Sequence, residues 1–501
     1  MDAMLANNKD ALNQAANSRD DVILRVLLLA DVRPDGLDFI GRRLAGTMLD
    51  HIDALSRRSR HHVYCLNPRG WTAPQTIDFD TFDVLVIHYS IAIIDDAYLP
   101  AVFRERIRAF PGLKVIFIQD EYRQVNAYVD SMINLGVHVL CTCVPEVSID
   151  AVYPRLRDRG VKIVPTLTGF VSDELAMRPR RPLRERPLDV VYRGRIVPYE
   201  LGDLGNGKVE IAKRFMDVAE RYGLAVDIDW REEARIYGDC WIDFISAGRA
   251  TLGTESGASI VDFDESIASA VDTYVKSHPG AGYYEVANAV LRQHEGNILI
   301  NTISPRAFEA ICLGTALVLF PGHYSGILVP WRHYIPLAKD FSNMEEIADC
   351  LTDLPFLERL TQTAYDEIVI PGAYSYSVFT KKVDDALVQF SLSHGSAGRA
   401  KTSVGALDAD AWRRSLDDHV RRVTGILALP LETVRPPEAC AKPEGGAVLA
   451  SEASGSRAKL ATKWLLPVAV YRALRSVVRV CFNLRTQLIG LRRGRSGTQC
   501  S

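Results

Sequence analysis

The sequence predicts an α/β protein in which two doubly wound lobes face a cleft, and three observations lead to this fold class. First, a chain of 501 residues that is 48% hydrophobic and 24% charged has the length and composition of two or three globular domains. Second, short β-branched runs alternate with amphipathic stretches of helical length, as they do where helices cover parallel strands. Third, an interruption rich in proline and arginine divides these runs into two sets. Each set predicts one Rossmann-like lobe.

The first lobe is predicted over residues 21–170, after a flexible N-terminus at 1–20. Its strands are the runs VILRVLLLA, HHVYCL, DVLVIHYS, KVIFIQ, VHVLCTC and VKIVPT. A linker at 171–187 has little apolar character, and the second lobe, at 188–372, starts at LDVVYRG and continues with LAVDIDW, RATLGT, NILINT, ALVLF and HYIPL. Such sheets bind ligands at the carboxyl ends of their strands, so the cleft between the lobes is the expected site.

Four further segments complete the predicted organisation. Residues 259–297 form a helical insertion around the breaker HPGAG, either a surface insertion or a lid. Residues 373–394 form a helix that packs back on the body. Residues 395–455 are rich in Ser, Gly, Ala and Pro and predict a linker of low order. Residues 456–501 form a basic amphipathic tail.

The charge is distributed unevenly. The formal net charge is -3, but residues 453–501 contain ten Lys or Arg and no acid, whereas residues 1–452 hold 49 basic and 62 acidic side chains. The overall balance gives no reason to expect nucleic acid as a partner. In the tail, Arg472, Arg475 and Arg479 fall on one side of a helix and apolar residues on another. Such a helix either lies on an anionic membrane surface or packs on the acidic body.

Cysteine usage and hydropathy point to a cytoplasmic protein. The nine cysteines are scattered without a CxxC pair, which is typical of reduced thiols. The polar N-terminus predicts no secretory signal, and no apolar run reaches the ~20 residues of a membrane-spanning helix. The tail would allow a peripheral location at the inner face of the cell membrane.

The most informative stretch is NTISPRAFEAICLGTALVLF, which begins at Asn301. Ser304 and the proline after it predict a helix start at a strand end, with Arg306 and Glu309 in the helix and Gly314 at its end. A helix N-terminus directed at the cleft offers free N–H groups to a phosphate. Glu309 could accept hydrogen bonds from ribose hydroxyls, or could be a surface acid that complements the helix dipole.

The segment SPRAFEAICLGTALV resembles the donor-site helix of GT-B glycosyltransferases, in particular the retaining, nucleotide-sugar-dependent group and its spore-coat-type relatives. The resemblance covers about residues 22–390 and implies that Glu309 binds the nucleotide ribose. In that group an acid eight residues upstream touches the donor sugar, where this chain has Asn301. The segment ISAGRATLGTESG resembles the family's helix, strand and loop that deliver this acid, and so favours Glu255 as the sugar-contacting residue. A loop acid in a Gly/Ser-rich turn is the alternative for Glu255.

The same resemblance implies a diphosphate site at the start of the second lobe. In VVYRGRIVPYELGDLGNGK, the matching residues are Gly194, Arg195 and Lys208, with Ser304 and Arg306 completing the donor side. The leaving diphosphate gains charge as the glycosidic bond breaks, and Arg and Lys would stabilise it in place of a metal. GNGK is interpreted as a Gly-rich loop before a helix, since it lacks the Walker spacing. No metal site and no cofactor are expected; the nucleotide sugar is a substrate.

The first lobe supplies candidates for the acceptor side. Asp120 and Glu121 follow the strand VIFIQ, where acids could orient an acceptor hydroxyl or act as a base. His88 ends the preceding strand, and Gly36 follows the first strand. The alternatives are a core histidine and a plain turn.

The leading hypothesis is a metal-independent hexosyltransferase that moves a sugar from a nucleotide-sugar donor to a carbohydrate or lipid-linked acceptor in cell-surface polysaccharide or glycoconjugate synthesis. A GT-B-fold sugar-nucleotide epimerase would use the same donor contacts without a second substrate. A non-catalytic scaffold that binds a sugar nucleotide or glycan is the third hypothesis.

Overall fold

The computed structural model describes residues 22–33, 37–38, 44–69 and 78–397. The predicted N-terminal segment, nearly all of the predicted low-order linker and the basic tail lie outside these residues. The chain groups into two compact units, and the first contains both lobes. In the second, the described residues are 272–282, where the ring of Tyr274 stacks on that of His278 with centroids 4.2 Å apart.

The first lobe contains a parallel sheet of six strands in the order β2-β1-β3-β4-β5-β6. Every residue of β4 is buried, as in a strand covered on both faces, and this explains why its sequence shows no polar alternation. The strands are β1 (Arg25–Leu29), β2 (His62–Leu66), β3 (Val84–Ile87), β4 (Leu113–Ile118), β5 (Val139–Thr142) and β6 (Lys162–Pro165).

Helices connect these strands and cover the sheet. Helix α3 ends at Gly136, whose φ of 69° is the left-handed conformation that commonly terminates helices. The helices of this lobe are α1 (Gly46–Ser56), α2 (Ala101–Ala109), α3 (Val125–Leu135), α4 (Ile149–Val152) and α5 (Pro154–Arg157).

The second lobe follows a linker that contains the short helix α6 (Asp173–Ala176). Its parallel sheet has five strands in the order β13-β12-β9-β7-β8. A separate antiparallel pair is formed by β10 and β11. The strands are β7 (Leu188–Arg193), β8 (Val226–Asp229), β9 (Gly248–Gly253), β10 (Ser256–Ala258), β11 (Ile300–Thr302), β12 (Ala316–Leu319) and β13 (Ile335–Pro336).

The segment GNGK lies inside a helix, which corrects its interpretation as a loop. Helix α7 (Gly202–Ala219) includes Lys208. The helix is tightly packed at Gly205, where a Cβ would lie 2.5 Å from the Cβ of Leu201. Glycine fits at this position because it has no side chain. The remaining helices of this lobe are α8 (Asp239–Ala247), α11 (Pro305–Cys312), α12 (Met344–Thr352) and α13 (Leu354–Ala364), the last continued by a π-helical turn at Tyr365–Val369.

The predicted insertion is helical, with α9 (Ser266–Ser277), α10 (Tyr283–Val286) and a π-helical turn at Ala287–Leu291. The residues just before α9 pack on the first lobe. The backbone N–H of Asp262 donates to the carbonyl of Tyr122 at 2.9 Å, and Val261 and Ile300 belong to the core that includes β4. This segment was predicted to belong to the second lobe, but its apolar side chains complete the core of the first.

The last described helix, α14 (Tyr376–His394), also packs on the first lobe. Phe379 and Leu387 join the core formed by one face of its sheet. The carboxylate of Asp384 accepts hydrogen bonds from Ser59 Oγ at 2.7 Å and from the backbone N–H of Arg60 at 2.9 Å. Two parallel sheets flanked by helices confirm the predicted fold class of two Rossmann-like lobes. None of the helices in the described ranges combines the length and apolar character that crossing a membrane requires.

Candidate functional site

A cavity of about 860 Å³ lies at the carboxyl end of the second-lobe sheet. The residues that follow β7 and β9 line it. These two strands are neighbours in the sheet, and the chain continues from β7 to β8 on one side and to β9 on the other. Open α/β sheets bind ligands at such switch points. Helix α1 of the first lobe contributes Thr47 and Asp50, and the linker contributes Phe170 and Ser172, so the cavity lies between the lobes.

Most of the predicted donor-side residues meet in this cavity. Its lining includes Gly194, Arg195, Lys208, Ser304, Arg306 and Glu309. The last three come from the start of α11, where Ser304 precedes the first turn in extended conformation and makes no side-chain capping bond. The buried residues of α11 lie on its other side, so Arg306 and Glu309, three positions apart, share the open face.

Aromatic rings and the backbone hold Arg306 in place. Its guanidinium lies over the ring of Tyr192 at 4.9 Å and over that of Trp241 at 5.2 Å from the centroids. Arg306 Nη2 donates to the carbonyl of Arg193 at 2.6 Å. Because carbonyl and ring contacts leave the positive charge intact, Arg306 can still pair with an anion in the cavity.

Arg195 and Lys208 add two further cations. Burial, together with the charges of Arg195 and Arg306, lowers the pKa of Lys208 to about 8, and the charge of Asp120 opposes this shift. Within the described part of the chain, neither Arg195 nor Lys208 makes a side-chain hydrogen bond or ion pair. A group of cations in one cavity is suited to a diphosphate, whose oxygens would accept hydrogen bonds from all of them.

Glu309 is held by Trp241, a residue that sequence analysis missed. Trp241 Nε1 donates to Glu309 Oε2 at 2.9 Å. Burial raises the pKa of Glu309, and the Trp241 hydrogen bond and the charge of Arg306 counteract this. No sequence signal identifies the pair, since the two residues are 68 positions apart and meet only when α8 and α11 pack together.

Asp120 and Glu121 point in different directions. Asp120, with φ of 59°, accepts a hydrogen bond from Tyr122 Oη at 2.7 Å, and its charge acts on Lys208 across the cleft. Glu121 is 5% exposed and accepts from Tyr153 Oη at 2.5 Å, from the backbone N–H of Cys143 at 2.8 Å and from Thr142 Oγ1.

This placement corrects the prediction that Glu121 faces the cleft. The chain turns at Asp120, whose backbone is left-handed, and the end of the neighbouring β5 offers buried donors to Glu121. Burial raises the pKa of Glu121 to about 7.

Glu255 and Asn301, the two alternatives for the sugar contact, meet in one hydrogen-bond network. Glu255 Oε1 accepts from Asn301 Nδ2 at 3.0 Å and from the backbone N–H groups of His323 and Tyr324 at 2.9 and 2.8 Å. Glu255 is 9% exposed. Among the described residues that line the cavity are Thr254, Ser256 and Tyr324, but not Glu255 or Asn301. The structure therefore places Glu255 behind the lining, where it holds the loop after β12, because these N–H donors occupy its carboxylate.

His88 lies in the core, which corrects its predicted position in the cleft. It is 0% exposed, its Nε2 lies 3.1 Å from Nδ1 of His51, and its Nδ1 lies 2.9 Å from Ser90 Oγ. Burial lowers the pKa of His88 well below its usual value. The ring of His51 in α1 contacts both His88 and Phe379 of α14, with centroids 5.0 and 4.8 Å away, so His88 packs against these helices. Gly36, the other acceptor-side candidate, lies outside the described residues.

Within the described ranges, no three His, Cys, Asp or Glu side chains gather as the ligands of a metal ion would.

No family model matches the sequence, and no curated protein matches it. Similar solved structures include an alpha-glucosyltransferase in complex with UDP and a 13-mer DNA containing an A:G mismatch, at 10% identity and a TM-score of 0.41 over 73% of this chain and 100% of that chain. T4 phage BGT in complex with UDP-glucose is 11% identical, with a TM-score of 0.40 over 75% and 99%. HepE of Anabaena in complex with UDP is 11% identical, with a TM-score of 0.40 over 73% and 99%. At TM-scores below 0.5 these likenesses do not identify what this chain binds.

Proposed function

We propose that this protein is a GT-B-type glycosyltransferase that transfers a hexosyl group from a nucleoside-diphosphate sugar to a hydroxyl of a carbohydrate or lipid-linked acceptor. The observation that carries the proposal is the convergence of Arg195, Lys208 and Arg306 in an interlobe cavity that also contains Glu309. The cations suit a diphosphate, and the carboxylate suits the hydroxyls of a ribose.

In the proposed reaction, the bond between the anomeric carbon and the diphosphate oxygen breaks, and a bond from the acceptor oxygen to that carbon forms. The diphosphate leaves with the electron pair, and Arg195 and Lys208 stabilise its growing charge. The acceptor hydroxyl loses its proton, and Asp120 is the candidate base because Tyr122 Oη donates to its carboxylate and its charge acts on Lys208, a residue of the cavity lining. In this scheme the arginine and lysine side chains supply the positive charge that a metal would otherwise provide.

The experiment that tests this function combines binding with product analysis in the presence of EDTA. Thermal shift with UDP, GDP, ADP and their sugar conjugates identifies the donor, since a ligand of the folded state raises the melting temperature. The identified sugar nucleotide should then release nucleoside diphosphate, and Arg195→Ala should abolish this release. A requirement for added manganese would contradict metal independence.

The products also separate the proposal from its alternatives. A transferase releases stoichiometric nucleoside diphosphate and a glycosylated acceptor or free sugar. An epimerase returns an altered sugar nucleotide, and a scaffold binds the donor without turnover. Either of the last two outcomes would overturn the proposed reaction while keeping the proposed donor site.

The proposal extends to the location of the acceptor. An acceptor on a lipid would require the protein to work at the inner face of a membrane, and the basic tail at 456–501 would supply the contact. This part of the proposal is supported by the tail's sequence alone, because the tail lies outside the described residues.

A further inference from the structure

Asp50 is an acidic residue of the first lobe that lines the cavity. It lies in the middle of helix α1, one turn after Thr47, which lines the cavity too. The buried residues of α1 are His51, Ile52, Ala54 and Leu55, and their packing fixes the helix with Thr47 and Asp50 in the cavity lining.

The carboxylate of Asp50 has no partner within the described residues, unlike its neighbour one turn later. Asp53 pairs with Arg57 at 3.1 Å and lies 3.7 Å from Arg58. Asp50 makes no side-chain hydrogen bond or ion pair there. A partly buried carboxylate without donors is unfavourable, so a ligand that supplies donors would relieve this cost.

Glu309 of the second lobe also lines the cavity and, like Asp50, carries a carboxylate. Burial and, next, the charge of Glu309 raise the pKa of Asp50 to about 6, against the opposing charge of Arg58. Trp241 occupies one oxygen of Glu309, and α11 presents that side chain to the same cavity. Two carboxylates from opposite lobes thus line the cavity that also contains Arg195 and Lys208.

The cavity lining therefore contains cations, Arg195, Lys208 and Arg306, as well as the carboxylates of Asp50 and Glu309. The carboxylates repel anionic phosphates, whereas hydroxyl groups can donate hydrogen bonds to them. A nucleoside diphosphate has both kinds of group, with its phosphates at one end of the ribose and its vicinal hydroxyls at the other. An isolated hydroxyl would satisfy one carboxylate, but a vicinal diol can satisfy both.

We infer that Asp50 binds a ribose hydroxyl of the nucleotide from the first lobe, beside Glu309, and so makes the first lobe part of the donor site. This inference rests on the function proposed above. Its consequence is that discrimination between ribonucleotides and deoxyribonucleotides depends on residues of both lobes, since each carboxylate accepts from one or both of the two hydroxyls.

The test measures affinities by calorimetry for UDP, GDP and ADP and for their 2′-deoxy and 3′-deoxy forms. Asp50→Ala should weaken the ribonucleoside diphosphate that binds best by roughly tenfold, the usual effect of losing a charge-assisted hydrogen bond. It should leave the affinity for the deoxy form that lacks the contacted hydroxyl nearly unchanged. Asp53→Ala is the matched control, on the same helix but paired at the surface, and should change neither affinity.

The outcomes distinguish this inference from the function on which it rests. If Asp50→Ala weakens the ribo form and both deoxy forms equally, or weakens none of them, Asp50 does not bind the ribose and the inference is overturned. If no nucleoside diphosphate binds the wild-type protein, the proposed function fails and the inference with it. Thermal unfolding at pH 7.5 checks folding: the variant should be at least as stable as the wild type, because a carboxyl with a raised pKa destabilises the folded state above that pKa.

Discussion

Asn301 Nδ2 donates a hydrogen bond of 3.0 Å to Glu255 Oε1 and joins two segments that are 46 positions apart. The strands β10 and β11 create this contact, since Gly257 pairs with Asn301 in their antiparallel register. The same oxygen of Glu255 accepts from the backbone of the loop after β12. An acid that was expected to touch the donor sugar therefore organises the loop beside the cavity.

The pH dependence of nucleotide binding should report the ionisation of Lys208. Its pKa of about 8 means that the side chain is charged at pH 7 and loses its charge as the pH rises through 8. Affinity for a nucleoside diphosphate should therefore fall between pH 7 and pH 9, measured by calorimetry. Lys208→Arg should flatten this profile because a guanidinium stays charged. Lys213→Arg, an exposed position on the same helix, should retain the wild-type profile; a flat wild-type profile would contradict the placement of Lys208 at the phosphates.

Removal of the Glu309 charge should weaken nucleotide binding. Glu309→Gln is expected to cost roughly tenfold or more in affinity, corresponding to about 1.5–3 kcal/mol for a charge-assisted hydrogen bond. Trp241→Phe should cause a smaller loss, since it keeps a ring under Arg306 but removes the donor to Glu309. The control is Glu346→Gln, an exposed acid in the first turn of α12. Unchanged affinity in Glu309→Gln would exclude Glu309 from the ribose site.

Glu121 should matter for stability and not for nucleotide binding. Glu121→Ala leaves the buried donors of Tyr153, Cys143 and Thr142 without their acceptor. Chemical denaturation should show a loss of about 3 kcal/mol or more in the free energy of unfolding. Nucleotide affinity of the folded variant should equal that of the wild type. A variant with wild-type stability that has lost transfer activity would show instead that Glu121 acts in the reaction.

Substitution of Gly322 should separate catalysis from nucleotide binding. A Cβ at this position would lie 2.6 Å from the carboxyl carbon of Glu255, so Gly322→Ala must displace that carboxylate and release the N–H groups of His323 and Tyr324. Turnover of the sugar nucleotide should fall at least tenfold, and affinity for the nucleoside diphosphate should change less than about threefold. Gly207→Ala is the control, because its Cβ would meet Thr254 at an ordinary 3.8 Å. Equal loss of turnover and affinity would contradict a role of this loop in turnover alone.

The sequence of the basic tail predicts that it binds anionic membranes. The full-length protein should float with anionic liposomes at low salt, and a form truncated after Glu452 should not, because each Arg or Lys near such a surface contributes about 1 kcal/mol. Liposomes of neutral lipid are the control. If both forms stay in the unbound fraction, the tail does not bind membranes.

The sequence was sufficient to predict the lobes and the start of α11. Strands buried on both faces appear as continuous apolar runs, and Ser304, Pro305 and Gly314 mark the ends of one helix by well understood backbone preferences. These signals are local, which is why they could be recognised. The same holds for the position of Glu309 on the open face of that helix.

The features that could not be predicted depend on packing between distant segments. Side-chain direction at the end of a strand depends on which neighbour offers a buried partner, and so His88 and Glu121 turned inward. Trp241 and Asp50 join the site only through the approach of α8 and α1 to the second-lobe sheet and the cleft. The glycines of GNGK suggested a loop, but Gly205 is needed for close packing within a helix.

The docking of α14 on the first lobe has a consequence for biosynthesis. Strand β1 emerges from the ribosome early, but the side chains of Phe379 and Leu387 that cover its sheet are synthesised more than three hundred residues later. During translation, this apolar face of the nascent first lobe stays uncovered until the second lobe and α14 have been synthesised. Contacts of such sequence separation slow folding, and an uncovered apolar face invites chaperone binding. The first lobe, although synthesised first, can therefore complete its native packing only after α14 has been made.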